Sequence, residues 1–128
     1  MLFPDYVYPG LCVDVERGDI TYHIHLIWDS CSAPSDYDCY SDTDVERWKN
    51  DEWFFGCLEV SATFSSSFDT FELEGLAGLC GIECNLTDDT GKYLDALIPD
   101  LLVEAHACLR DRVALLVKAV NYEGEHHE

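Results

Sequence analysis

The stretch ITYHIHLIW, residues 20–28, constrains the fold of this chain more than any other. Ile20, Tyr22, Ile24, Leu26 and Trp28 fall on one side of a two-residue period, with Thr21, His23 and His25 on the other. Successive strand side chains point to opposite faces, so this alternation describes a sheet with one apolar and one polar face. Antiparallel sheets tolerate that asymmetry, packing one face on a core and leaving the other to solvent. The preceding run LCVDVERG continues the pattern. It predicts a hairpin with strands near 11–16 and 19–29 and a turn at Arg17-Gly18.

Two more strands follow. In EWFFGCLEVSATFS the core face takes Phe54, Leu58, Val60, Ala62 and Phe64 with Gly56, while Glu59, Ser61 and Thr63 point away. SSSFD turns into FELEGLAGLCGIE, which directs Phe71 and Leu73 inward and Glu72 and Glu74 outward. Gly75, Gly78 and Gly81 predict a bulge or a break there. After the loop NLTDDTG a helix is expected from about Lys92 to Val120, with Pro99 marking a kink or the first turn. Leu102, Ala105, Leu109, Val113, Leu116 and Val120 recur at helical spacing and form its expected core face.

These elements define an α+β class. The expected architecture is a meander of about four antiparallel strands, one long C-terminal helix packed on one face, and a short helix in an acidic loop. The 128 residues suit a single domain, 1–128, with about 1–10 and 121–128 as flexible ends.

Charge narrows the function. Twenty-six acids face 7 bases, a formal net charge of −19. So few cations argue against direct binding to nucleic acid or to an anionic membrane, and any charge-driven partner is itself basic. No apolar run reaches membrane-spanning length. The cysteine count of 7 is odd, several cysteines sit in apolar runs, and MLFPDYVYPG lacks the features of a secretory signal. Reduced thiols and a cytoplasmic location are therefore expected.

The acids concentrate in SDYDCYSDTDVERWKNDEW, which holds Asp36, Asp38, Asp42, Asp44, Glu46, Asp51 and Glu52 against Arg47 and Lys49. Thr43 and Glu46 have capping-box spacing, and Asp44 falls in the first turn of the short helix they would start. Read as a calcium loop from Asp36, the segment has Tyr40 and Ser41 at its fifth and sixth positions and Arg47 at its twelfth. Read from Asp42, Arg47 takes the glycine position and Trp53 that of the bidentate acid. Both frames fail. Tyr37, Tyr40 and Trp48 stand among the acids and suit a contact surface, whereas Trp48 or Trp53 would pin the loop to the core. By strand phase Glu59, Glu72 and Glu74 would extend the acidic surface over the open face of the sheet.

Catalytic patterns are absent. There is no G-x-S-x-G, H-E-x-x-H or G-x-x-x-x-G-K-[ST] sequence, and nothing marks one thiol above the others as a partner for His23, His25 or His106. His23-x-His25 and Cys80-x3-Cys84 offer metal-ligand types without the C-x2-C spacing of structural zinc. The expectation is a non-enzymatic protein without a cofactor, a small zinc-binding domain being the lesser alternative.

The run DVERWKNDEWFFG, then a strand, GLCGIE and an amphipathic helix, resembles small acidic proteins of bacteriophages and other mobile elements over about residues 40–118. That resemblance implies an inhibitor of the anti-CRISPR or anti-restriction type, some of which act as DNA mimics. Its partner would be a basic nucleic-acid-binding protein or defence complex in the host cytoplasm. A structural or adaptor protein whose acidity maintains solubility is the alternative. The oligomeric state, a dimer included, is left open.

Overall fold

The computed structural model describes residues 2–66 and 68–126, side chains at 123, 125 and 126 excepted. Four strands, β1 (Cys12–Arg17), β2 (Ile20–Trp28), β3 (Phe54–Ser65) and β4 (Thr70–Cys84), form one sheet in the order β1-β2-β3-β4. All neighbours are antiparallel, which makes the sheet a meander. A 3-10 turn (Pro34–Asp36) and helix α1 (Asp42–Lys49) lie between β2 and β3, and helix α2 (Thr90–His126) follows β4. The α+β class expected from periodicity is the observed one.

Register places the core. Ile24 faces Val60 and Leu26 faces Leu58 across the two central strands, and all four are buried. Leu94, Ile98, Leu101, Ala105 and Leu109 of α2 close over them. The hairpin turn is Gly18-Asp19 rather than Arg17-Gly18, because Arg17 still pairs with Ile20. Gly75 and Gly81 have φ of +64° and +71°, a region that favours glycine. Register shifts against β3 lie beside each of them, so the glycine series makes bulges while β4 runs on. Phe71 stacks on Phe64 but keeps half its surface exposed.

Three expectations about the ends and the helix are corrected. Of the expected free end 1–10, residue 1 lies outside the described residues and 2–10 are tied down: Phe3 and Val7 are buried, Asp95 accepts from the Leu2 and Phe3 N–H groups, and Asn85 bonds both backbone groups of Val7. Helix α2 reaches His126, so 121–126 continue the helix; 127 and 128 lie outside the described residues. Pro99 sits inside α2, which excludes the first-turn position of the two expected for it. The expected core face of α2 holds only as far as Leu109. Val113, Leu116 and Val120 are 41%, 63% and 60% exposed, although their helical spacing continues that of Leu109.

A fourth correction concerns sulfur. Cys57 and Cys80 form a disulfide across β3 and β4, with Cα atoms 4.0 Å apart. The shift between the Gly56–Ile82 and Leu58–Leu79 pairs sets Cys57 opposite both Cys80 and Gly81, so the bulge brings the sulfurs together. The thiols are therefore not uniformly reduced, and that support for a cytoplasmic location is withdrawn. No helix among the described residues is long and apolar enough to cross a membrane.

Gly91, at the start of α2, lies directly beneath the N-terminal segment, where a Cβ would collide with the Phe3 and Pro4 carbonyl oxygens. Gly91→Ala should lower unfolding free energy by about 1–3 kcal/mol through this overpacking, seen as a lower urea midpoint at unchanged slope. The disulfide joins residues 23 apart. Replacing both partners with Ser should cost about 3 kcal/mol on the loop-entropy model, checked by the same titration.

Candidate functional site

The polar face of the sheet is divided in two. At one end the segment between β2 and β3 folds over it: Tyr37 and Tyr40 pack on Phe55, and Tyr40 also packs on Trp53. Trp53 is fully buried and donates its indole N–H to the Asp44 carbonyl at 2.8 Å. It is therefore Trp53 that pins the insertion. Trp48 is only half-buried, as is Tyr40. Tyr40 is spent largely on holding the insertion in place, and burial, followed by the nearby Glu83 carboxylate, pushes its phenol upward. Tyr37 remains half exposed at the rim.

Helix α1 begins two residues earlier than the capping-box reading required. Ser41 is the N-cap, its hydroxyl accepting from the Asp44 N–H at 3.1 Å, so Thr43 is not the cap. Asp42 and Asp44 lie in the first turn and Arg47 and Lys49 in the last, as the helix dipole favours. Asp36 caps the 3-10 turn by accepting from the Ala33 N–H. Asp36, Asp38, Asp42, Glu46, Asp51 and Glu52 are exposed and Asp44 is half-buried. Arg47 lies 3.8 Å from Glu52, a long and exposed pair of little energetic weight.

At the other end the face is bare. Glu59, Glu72 and Glu74 are exposed and line one shallow depression with His25 and Ser61, as strand phase predicts. Asp14 and Glu16 of β1 and Glu83 of β4 occupy the same face by register. Thirteen carboxylates thus share the insertion and open face with two bases, Arg47 and Lys49. The other five bases lie on β1's core side (Arg17) and along α2, from which Arg112 reaches β4 and donates to the Glu74 and Gly75 carbonyls.

Within this acidic field the β1–β2 hairpin assembles a group that sequence reading did not bring together. Cys12 pairs with His25 and Asp14 with His23. Cys12 Sγ lies 3.7 Å from Asp14 Oδ1 and 3.9 Å from His25 Nε2. His23 Nδ1 lies 2.7 Å from Asp14 Oδ1, and its Nε2 shares a 2.7 Å hydrogen bond with Thr63 Oγ1. Ser61, opposite His23, is buried with a hydroxyl that has no partner among the described residues. The Cys80-x3-Cys84 pair supplies no ligands here. Cys80 is in the disulfide and Cys84 is buried, its thiol pushed up to about 12 by that burial.

Two catalytic arrangements are visible in this geometry, and each lacks a part. The order Asp14–His23–Thr63 matches an acid–imidazole–hydroxyl relay. However, Thr63 sits in mid-strand with neighbours on both sides, so the adjacent N–H groups serve the ladders instead of an oxyanion. Cys12 and His25 form a thiol–imidazole pair, but burial and the Asp14 carboxylate raise the Cys12 thiol and disfavour the thiolate a nucleophile needs.

Comparison with protein-family models, curated proteins and solved structures returns no match.

The insertion is tied down by Asp29, a buried carboxylate that accepts from the Ser32 hydroxyl at 2.7 Å, the Gly81 N–H at 2.9 Å and the Cys31 N–H at 3.0 Å. The Ser32 hydroxyl above all, with the N–H groups of Cys31, Gly81 and Ser32, holds its carboxyl below the usual range against the opposing effect of burial. A depressed folded-state value means that the stabilisation is complete above the unfolded value, about 3.9, and is lost as pH falls through the folded one. Asp29→Ala should therefore destabilise the protein at pH 7, by on the order of 3 kcal/mol for the three abandoned donors. The difference between variant and parent should shrink below about pH 4. Urea titrations of both proteins from pH 3 to 7 check this.

Proposed function

We propose that this chain is a non-enzymatic binding protein whose acidic insertion and open sheet face occupy the basic, nucleic-acid-binding surface of a partner protein. One observation carries the reading. Half of the 26 acids gather on the insertion and open face, where Arg47 and Lys49 accompany them and only Arg112 of the other five bases is shown reaching in, to the Glu74 and Gly75 carbonyls. Counting Arg112, the net surplus of ten negative charges equals that on about 17 Å of duplex DNA, at one charge per roughly 1.7 Å. Asp36, Asp38, Asp42, Asp44, Glu46, Asp51 and Glu52, with Glu59, Glu72 and Glu74, supply the phosphate-like charge. Tyr37 and the exposed part of Trp48 supply apolar contact that charge alone does not. The resemblance of the sequence to small acidic phage and mobile-element inhibitors points the same way, toward a defence complex as the partner.

The experiment is capture of the partner from a bacterial lysate at low salt, followed by equilibrium binding with the purified pair. Engagement of six or so carboxylates should lower affinity by roughly 10³-fold between 50 and 200 mM salt, and duplex DNA should compete. The triple variant Asp42→Lys/Asp51→Lys/Glu52→Lys should abolish binding while circular dichroism stays unchanged. Binding that ignores salt, survives the reversals or coexists with bound DNA would overturn the reading in favour of an adaptor whose acidity serves solubility.

A further inference from the structure

We propose that Cys12, Asp14, His23 and His25 form a binding site for a divalent transition-metal ion of the zinc type on the open face of the β1–β2 hairpin. The inference is independent of the partner-binding reading above. Each strand supplies two donors at alternate positions, and register brings them face to face as Cys12 with His25 and Asp14 with His23. One thiol, two imidazoles and one carboxylate make a donor set that suits borderline-soft ions such as Zn²⁺ and is poor for the hard ions Ca²⁺ and Mg²⁺.

Distances agree with this assignment. Ligand atoms around tetrahedral zinc, bound at about 2.0–2.3 Å, lie roughly 3.3–3.6 Å from one another. Cys12 Sγ is 3.7 Å from Asp14 Oδ1 and 3.9 Å from His25 Nε2. The donor atoms of Cys12, Asp14 and His23 all fall within 4.8 Å of one another. For all four to bind one ion, the 2.7 Å contact between Asp14 Oδ1 and His23 Nδ1 must open by about the difference between a hydrogen bond and two adjacent ligands. The His25 ring, which stands outside that three-residue group, must also swing in from its contact with Cys12.

A surface histidine pair without a ligand role would need no further support, but His23 has it. Its far nitrogen, Nε2, is held by Thr63 Oγ1 at 2.7 Å, which turns Nδ1 toward Asp14 and Cys12. This is the outer hydrogen bond that commonly orients a metal-binding imidazole. The strands beneath are ordered by ladders on both sides of β2, so the donors sit on rigid backbone instead of a loop. The surrounding carboxylates, Glu59 opposite His25 and Glu16 farther along β1, raise the local concentration of cations.

The test is titration of the full-length protein with Co²⁺, followed by visible and near-ultraviolet absorption, then displacement with Zn²⁺. One equivalent should give intense tetrahedral d–d bands with a thiolate-to-cobalt charge-transfer band, and Zn²⁺ should abolish both. Cys12→Ser should remove the charge-transfer band. His25→Asn and Asp14→Asn should each weaken binding about ten- to hundred-fold, and Thr63→Val should weaken it within or below the same range. Cys31→Ser/Cys39→Ser and His126→Asn/His127→Asn should leave the spectrum unchanged, which separates this site from other exposed thiols and from the terminal histidines. Weak octahedral bands only, a charge-transfer band that survives Cys12→Ser, or binding lost with the terminal histidines would overturn the proposal. All of these residues except Thr63 and His23 are exposed or terminal, and an unchanged urea midpoint confirms that each variant remains folded.

Discussion

Leu26 opposite Leu58 and Ile24 opposite Val60 form the contact on which everything else in this molecule rests. These side chains are buried between the two central strands and the docked half of α2. Because strand side chains alternate, fixing these four on the core face fixes every neighbour on the other. His23, His25, Glu59 and Thr63 share the polar face for that reason alone. A slip of one residue between β2 and β3 would bury the glutamate and both histidines, at a cost no surface interaction could recover. The core thus specifies the chemistry of the opposite face without touching it.

The strands were legible in the sequence because period-two alternation is a local signal that survives single errors. The phase that sends Glu59, Glu72 and Glu74 outward follows from the same alternation. What lay beyond reading was set by length and register. Helical spacing in Val113, Leu116 and Val120 says that they share a face with Leu109, but not that burial stops at Leu109. The hairpin shows how much one residue matters. A turn at Arg17-Gly18 would set Cys12 opposite His23 and Asp14 opposite Thr21. The observed Gly18-Asp19 turn sets Cys12 opposite His25 and Asp14 opposite His23. The Cys–Asp–His–His group exists only in the second register. The Cys57–Cys80 disulfide was hidden for a similar reason, since it depends on a bulge whose position glycines suggest but do not locate.

The acidic surface and the donor cluster draw on a common architecture. The insertion covers the Phe55–Cys57 end of the polar face with aromatic rings, anchored by Trp53 and braced by Asp29, and leaves the Glu59–Thr63 end bare. Cations are drawn to the bare end by charge, and basic protein surfaces to both. A protein with so few bases places four of seven away from this region, which keeps its field predominantly of one sign.

Helix α2 runs 37 residues, yet among the described side chains the last buried one is Leu109. One continuous hydrogen-bonded rod therefore contains two thermodynamic regimes. From Leu94 to Leu109, opening any turn requires uncovering the core, so its backbone amides share in the global stability of the domain. Beyond Val113 no described side chain is buried, so the turns draw mainly on helix propensity and on cooperativity with the docked half, which together are marginal in water. Amide protection along α2 should therefore fall in a gradient from the docked half toward the C-terminus, and the rod would lose its far half long before the sheet lets go of the rest.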